Sequence, residues 1–203
     1  MKNREYKSRR NTRRKKPQYF DMKDAIILDF YPQGKSFSRR SSEDYNPLAI
    51  TVTTEWFQFF DVILVPGTIF SVNNHIKLTI RNKRIIKLKE LQFNQLSSSA
   101  LENLPHAIKE IVRTDESRFI SFLNQAHPLT TQMHQLQLLP GIGHKRMWKV
   151  LETRKSHPFT SFSDFTQRTG ISDPGTIFFN RILIELEESP KYRLFTKKMN
   201  DQG

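Results

Sequence analysis

Leu136-Gln137-Leu138-Leu139-Pro140-Gly141-Ile142-Gly143 is the stretch that decides how this chain is read. Leucines at 136, 138 and 139 close a short apolar helix, and Pro140-Gly141 cannot continue it. His144 to Lys155 then reads as a second helix, apolar at Met147, Trp148, Val150 and Leu151. Gly141 and Gly143 permit a tight backbone path and the close approach of a ligand, while Ile142 between them is placed to plug the turn into the core. The first N–H groups of the second helix have no partner within it, so they face outward as an anion site that the helix dipole strengthens. Lys145 and Lys149 lie one turn apart and can flank one strand of phosphates, with His144 and Arg146 beside them. An ordinary turn between two antiparallel helices is the plainer alternative.

An apolar helix, Pro-Gly-Ile-Gly and then a basic helix resemble the helix-hairpin-helix superfamily. That resemblance implies phosphate contacts from the backbone amides of Gly141, Gly143 and Lys145. It also implies an optional potassium or sodium ion on the carbonyls of Gln137, Leu139 and Ile142, and no other cofactor. Downstream, Pro158 to Phe165 opens another short helix. Thr169-Gly170-Ile171-Ser172 resembles a second, degenerate hairpin before a final helix over Asp173 to Glu187, which Ser172 or Asp173 can cap with Pro174 in its first turn. Ser172 stands where a second glycine would, which leaves phosphate binding there open.

Upstream, the pattern changes to short β-prone runs broken by turns. Ala25 to Tyr31, Pro47 to Val52, Trp56 to Val65, Ile76 to Ile80 and Ile85 to Leu91 read as five strands, with clean alternation in the fourth. Five such strands predict a small barrel of the oligonucleotide-binding (OB) or S1 type, although periodicity equally allows another small barrel. Phe37, Tyr45, Trp56 or Phe57 can offer it a stacking surface, with Trp56 and Phe57 favoured as core. Ser97 to Gln125 reads as helical, capped by Ser97 or Ser98 and divided in two by Pro105. Leu101, Leu104, Ile108, Ile111 and Val112 form its core-facing stripe.

Charge sharpens the picture. Among 203 residues, 33 Lys and Arg face 20 Asp and Glu, a net charge of +13. Residues 1–16 carry nine of the bases against one acid, residues 17–126 are nearly balanced at +1, and residues 127–203 hold +4. The first segment, with Arg9-Arg10 and Arg13-Arg14, has no apolar period and reads as a disordered basic arm that contacts phosphates or merely solubilises. Arg39 and Arg40 are further candidate backbone contacts. With no cysteine, disulfides, thiolate metal sites and cysteine nucleophiles are excluded. No apolar run reaches the roughly 18 residues of a membrane span, and the basic N-terminus lacks the apolar segment of a secretory signal. The expected location is cytoplasmic, away from membranes.

The expected architecture is therefore α+β: a basic arm (1–20), an OB/S1-like β domain (21–95), linking helices (96–126), a helix-hairpin-helix domain (127–198) and a tail (199–203). Asp29-Phe30-Tyr31-Pro32-Gln33-Gly34, Leu104-Pro105-His106, Arg118-Phe119, Asn124 to Thr131, Leu139 to Trp148 and Lys191-Tyr192-Arg193-Leu194-Phe195 occur in an order that resembles the family called domain of unknown function 655. That resemblance covers roughly residues 22–198 and implies an OB-like β domain joined to a helix-hairpin-helix module in a nucleic-acid-binding protein. It brings no established activity.

Enzymatic readings find little support. Helix-hairpin-helix glycosylases carry an Asp about twenty residues beyond the hairpin, and Asp164 falls there, but it sits at a helix start where capping suffices. The six histidines show no metal-ligand spacing, and neither a phosphate-binding Gly-rich loop with Lys-Ser/Thr nor a Gly-x-Ser-x-Gly elbow is present. The expectation is a non-enzymatic protein that grips a nucleic-acid backbone, with RNA favoured over DNA. Duplex-DNA binding and a protein–protein adaptor are the alternatives.

Overall fold

A computed structural model describes residues 23–34, 45–79 and 81–197 of the chain. Five strands form one antiparallel sheet: β1 (Lys23–Tyr31), β2 (Leu48–Thr53), β3 (Phe59–Leu64), β4 (His75–Leu78) and β5 (Ile85–Leu91), in the order β4-β1-β2-β3-β5. β1, β2 and β3 are apolar almost without alternation because both faces of the sheet are covered. Ala25, Ile27, Ala49, Phe60, Val62 and Leu64 pack with Ile76 and Leu78 on one side. Ile26, Leu28, Ile50, Val52 and Phe59 meet the helices on the other. An irregularity between Ile27 and Asp29 in the β1–β2 register bends the sheet.

The strands fall close to where the sequence puts them, but the barrel is not closed. β4 and β5 are the two edges of a curled half-barrel, since β4 pairs with β1 and β5 with β3. Trp56 lies in the turn before β3 rather than in the strand. Phe57, also in that turn at φ 53°, is buried, as its core reading expects.

Five α-helices follow the sheet: α1 (Ser98–Thr114), α2 (Glu116–Gln125), α3 (His144–Ser156), α4 (Phe162–Thr169) and α5 (Pro174–Glu187), with short 3-10 turns at Phe93–Gln95 and Gln135–Leu138. Ser97 caps α1 through the Ala100 N–H at 3.1 Å and donates its own hydroxyl to Asp29 Oδ2 at 2.6 Å, which fixes the helix to β1. Pro105 does not divide the helix; the break comes at Asp115. Losing the Pro105 N–H costs roughly 3 kcal/mol. Burial of Leu104, Ile108 and Ile111 along the same helix is worth about 1.5–3 kcal/mol each and outweighs it. Leu101, expected in that stripe, is exposed, and Ala100 and Ala107 take the buried face instead.

One core runs without a break from the sheet through α1 and α2 to the hairpin at 139–143 and the last helix. Phe119, Phe122, Phe178 and Phe195 meet at its centre with ring centroids 4.9–6.2 Å apart. Polar clasps tie the layers together. Arg118 donates to the Thr54 and Glu55 carbonyls at 3.0 and 2.6 Å, and Asn103 to the Leu28 carbonyl at 3.1 Å.

Candidate nucleic-acid interface

The turn ahead of α3 is held from three sides. His134 Nδ1 accepts the Leu136 N–H at 3.1 Å and starts the 3-10 turn that leads into Pro140. Burial lowers the His134 pKa, with the Arg154 and His127 charges acting in the same direction, so the neutral ring that this bond requires is favoured. Arg181, from α5, donates to the Leu138 carbonyl at 3.1 Å. Arg154, from α3 itself, donates to the Leu123 and Ala126 carbonyls at 2.8 Å, anchoring α3 on the last turn of α2.

Within the turn, Gly141 has φ +80°, a conformation that side-chain-bearing residues rarely adopt, and Ile142 is buried as expected. Gly143 differs from expectation. It is the N-cap of α3 at φ −75° and ψ 179°, a backbone open to any residue, and a Cβ there would meet nothing within 4 Å. The folded chain therefore gives no reason for glycine at 143. No side chain caps α3, and its first intrahelical bond runs from the Met147 N–H to the Gly143 carbonyl. Among the described residues the N–H groups from Gly143 to Arg146 face outward without a partner.

Thr169–Asp173 is built like the first turn and ends differently. Gly170 has φ +71°, and Ile171 is buried as Ile142 is. The Asp173 carboxylate, however, accepts the Thr176 N–H at 3.1 Å and caps α5, and hydrogen bonding from Thr176 lowers its pKa. A carboxylate thus caps the start of α5, whereas no side chain caps the start of α3.

The side chains named from sequence are partly brought together. His144, Lys145 and Lys149 are exposed around the open end of α3. Arg146 folds back instead, donating Nη1–H to the Gly141 carbonyl at 2.8 Å. Trp148, read as part of the apolar side, is 49% exposed, and its indole N–H donates to His144 Nε2 at 3.1 Å. This exposed aromatic near the open helix end is a candidate contact that the sequence did not single out. Helical phase carries the signal: Met147 and Val150 are buried, and Trp148 lies off their side of α3.

Of the carbonyls suggested for a cation, that of Leu139 takes part in a hydrogen bond within the turn. The Leu139 carbonyl accepts the Ile142 N–H at 3.0 Å, and the Arg146 guanidinium already supplies positive charge to the neighbouring Gly141 carbonyl. Among the described residues no group of three His, Asp or Glu can hold a metal ion. Asp164 accepts the Thr160 N–H at 3.0 Å and bonds Arg168 at 3.1 Å; these contacts lower its pKa, the first most strongly.

Of the stacking candidates, Phe57 is buried, and Trp56 is half-buried with Lys197 Nζ 4.8 Å from its ring centroid. Tyr45 is 66% exposed. Arg9, Arg10, Arg13, Arg14, Phe37, Arg39 and Arg40 lie outside the described residues, as do the 1–20 arm and the 199–203 tail. No helix among the described residues is long and apolar enough to cross a membrane.

Residues 21–197 match the family described as protein of unknown function (DUF655). The chain belongs to the DUF655 family. It is 32% identical over 189 residues to the uncharacterized protein MJ0038 of Methanocaldococcus jannaschii, covering 91% of this chain and 84% of that one. It is also similar to Af1531 from Archaeoglobus fulgidus, a crystal structure assigned to DUF655, with a TM-score of 0.75 and 35% identity over 86% of this chain and 99% of that one. Several residues behind the DUF655 resemblance hold the fold together. Asp29 binds Ser97, Asn124 exchanges two hydrogen bonds with the Phe159 backbone at 2.9 and 2.8 Å, and the Leu194 and Phe195 amides bind Glu185.

Proposed function

We propose that this protein binds nucleic acid through its phosphate backbone, with the open N-terminus of α3 as the principal contact and no chemistry performed on the ligand. In this reading residues 135–156 act as a helix-hairpin-helix, and the curled half-barrel is an OB/S1-like module beside it. The observation that carries the proposal is Gly143: its backbone does not need glycine, its Cβ position is empty, and unpartnered amides lie next to it. A phosphate oxygen fits that space, accepts those N–H groups and gains from the helix dipole. Lys145 and Lys149 flank the oxygen, and Arg146 stiffens the turn from behind. Such contacts position a backbone without reading bases.

Structured RNA is the favoured ligand, a preference that rests on the OB/S1 barrel reading and on the DUF655 resemblance. The test is a fluorescence-polarisation titration of the full chain with labelled RNA and DNA duplexes of one sequence over a range of salt. Binding that weakens steeply with salt supports the proposal. Salt-independent association with protein in place of either duplex would favour the adaptor reading and overturn it.

A further inference from the structure

A second charged surface lies on the half-barrel. From Lys77 to Lys89 the chain holds six bases (Lys77, Arg81, Lys83, Arg84, Lys87 and Lys89) and no acid. All six are exposed. The near-neutral balance of residues 17–126 conceals them, because the acids of that segment lie elsewhere in the sequence.

These charges lie on the two edge strands and on the segment between them. β4 and β5 are the two edges of the sheet, and the turn over residues 81–84 leads into β5. Asn82 orders that turn: its Nδ2 donates to the Lys77 carbonyl at 3.0 Å, and its Oδ1 accepts the Arg84 N–H at 3.1 Å. The Val65 N–H binds the Arg84 carbonyl at 2.9 Å and docks the turn on the loop after β3. Among the described residues, Lys77, Arg81, Lys83, Arg84 and Lys89 form no ion pair. Glu90, the nearest acid in sequence, accepts a hydrogen bond from Gln58 Nε2 instead.

Like charges clustered along one short segment oppose folding unless something else uses them. Resting on the nucleic-acid reading above, we infer that the basic β4–β5 segment is a second phosphate-contacting surface, so that one nucleic-acid chain engages both the half-barrel and the start of α3. Arg81, Lys83 and Lys89 supply the contacts to phosphates in this inference. Ile69 and Ile86 are the large apolar side chains exposed in this region, at 82% and 47%. That is little apolar surface beside six cations, which favours a polyanion over a lipid bilayer.

The experiment compares the full-length wild type, an Arg81→Gln/Lys83→Gln/Lys89→Gln variant and Gly143→Val. Each is titrated with a fluorescein-labelled RNA duplex, its DNA counterpart, and phosphatidylserine/phosphatidylcholine vesicles, after melting curves confirm folding. The triple variant is expected to bind RNA at least about tenfold more weakly at low salt, with its log–log salt slope reduced by about 3. Gly143→Val is expected to bind more weakly while keeping the slope contributed by the β4–β5 segment. If the triple variant keeps wild-type affinity and slope while Gly143→Val loses binding, the second surface is wrong and the α3 reading stands. Wild-type protein that binds neither duplex removes both. Vesicle binding lost in the triple variant, with RNA binding intact, reassigns the surface to lipid and overturns the inference.

Discussion

Arg146 reaches back to Gly141 and donates its Nη1–H to that carbonyl at 2.8 Å, closing the turn that opens α3. One of the basic residues that sequence offers as phosphate contacts thus gives a hydrogen bond to the shape of the turn. Arg146→Lys keeps the charge and loses the planar fork, so it tests shape against charge. We expect weaker nucleic-acid binding for Arg146→Lys with an unchanged salt slope; a fully wild-type affinity would assign the contact no role in the site.

The two glycines of the turn answer different demands. Gly141→Ala forces a side chain into the left-handed region and is expected to cost about 1–2 kcal/mol of stability. Gly143→Ala meets an ordinary backbone and open space, so its cost should stay below about 1 kcal/mol. Urea denaturation of both variants checks the ordering, and equal losses would contradict it.

Arg181 and Glu185 form a buried ion pair, Nε to Oε1 at 2.9 Å, whose remaining atoms are also engaged. Arg181 binds the Leu138 and Tyr192 carbonyls, and Glu185 receives the amides of Leu194, Phe195 and Thr196. The pair joins the approach to the hairpin to the C-terminal segment. Glu185→Ala leaves a buried guanidinium and three amides without their acceptor, and should destabilise by about 3–5 kcal/mol. A melting temperature within a degree or two of wild type would show that the clasp is dispensable.

His134 gives the fold a pH dependence whose sign follows from its environment. Its folded pKa is lowered below the ordinary 6.5 by burial and by Arg154 and His127. The unfolded chain therefore takes up the proton first, so this contribution is complete above about pH 6.5 and is lost as pH falls through the folded value. Thermal stability should decline below that pH in the wild type. The decline should be shallower in His134→Asn, whose side-chain carbonyl can still accept the Leu136 N–H; parallel pH profiles would refute the assignment.

Trp148 is exposed and tethered to His144, so its removal should spare the fold and weaken the interface. Trp148→Ala is expected to change stability by less than about 0.5 kcal/mol. If a base stacks on the indole, affinity falls by about 1–3 kcal/mol. Tryptophan fluorescence of a Trp56→Phe background reports this directly, and an emission spectrum unaltered by saturating RNA argues against stacking.

Strand positions were legible because apolar runs and turn residues mark them: Pro32-Gly34 after β1 and Pro66-Gly67 after β3 stop their strands in the structure too. Pro105 misled because a local rule about helix interiors was weaker than the packing of Leu104, Ile108 and Ile111. Closure of the barrel was not readable, since pairing between β4 and β5 depends on the curl of the whole sheet rather than on either strand. At the site, the positive-φ Gly141 and the buried Ile142 follow from their residue types. That Gly143 is conformationally ordinary, that Arg146 turns inward and that Asp173 closes the second turn are visible only in three dimensions. The basic β4–β5 segment was in plain sight, but it disappears when charge is averaged over residues 17–126.

The central claim is that the open start of α3 receives a phosphate. Its most direct test is the affinity of Gly143→Val relative to wild type for labelled RNA and DNA duplexes at fixed low salt, with melting curves showing both proteins folded. A loss of tenfold or more in the folded variant is the predicted result, since the added side chain fills the space in front of the amides. Equal binding by the two proteins would contradict it.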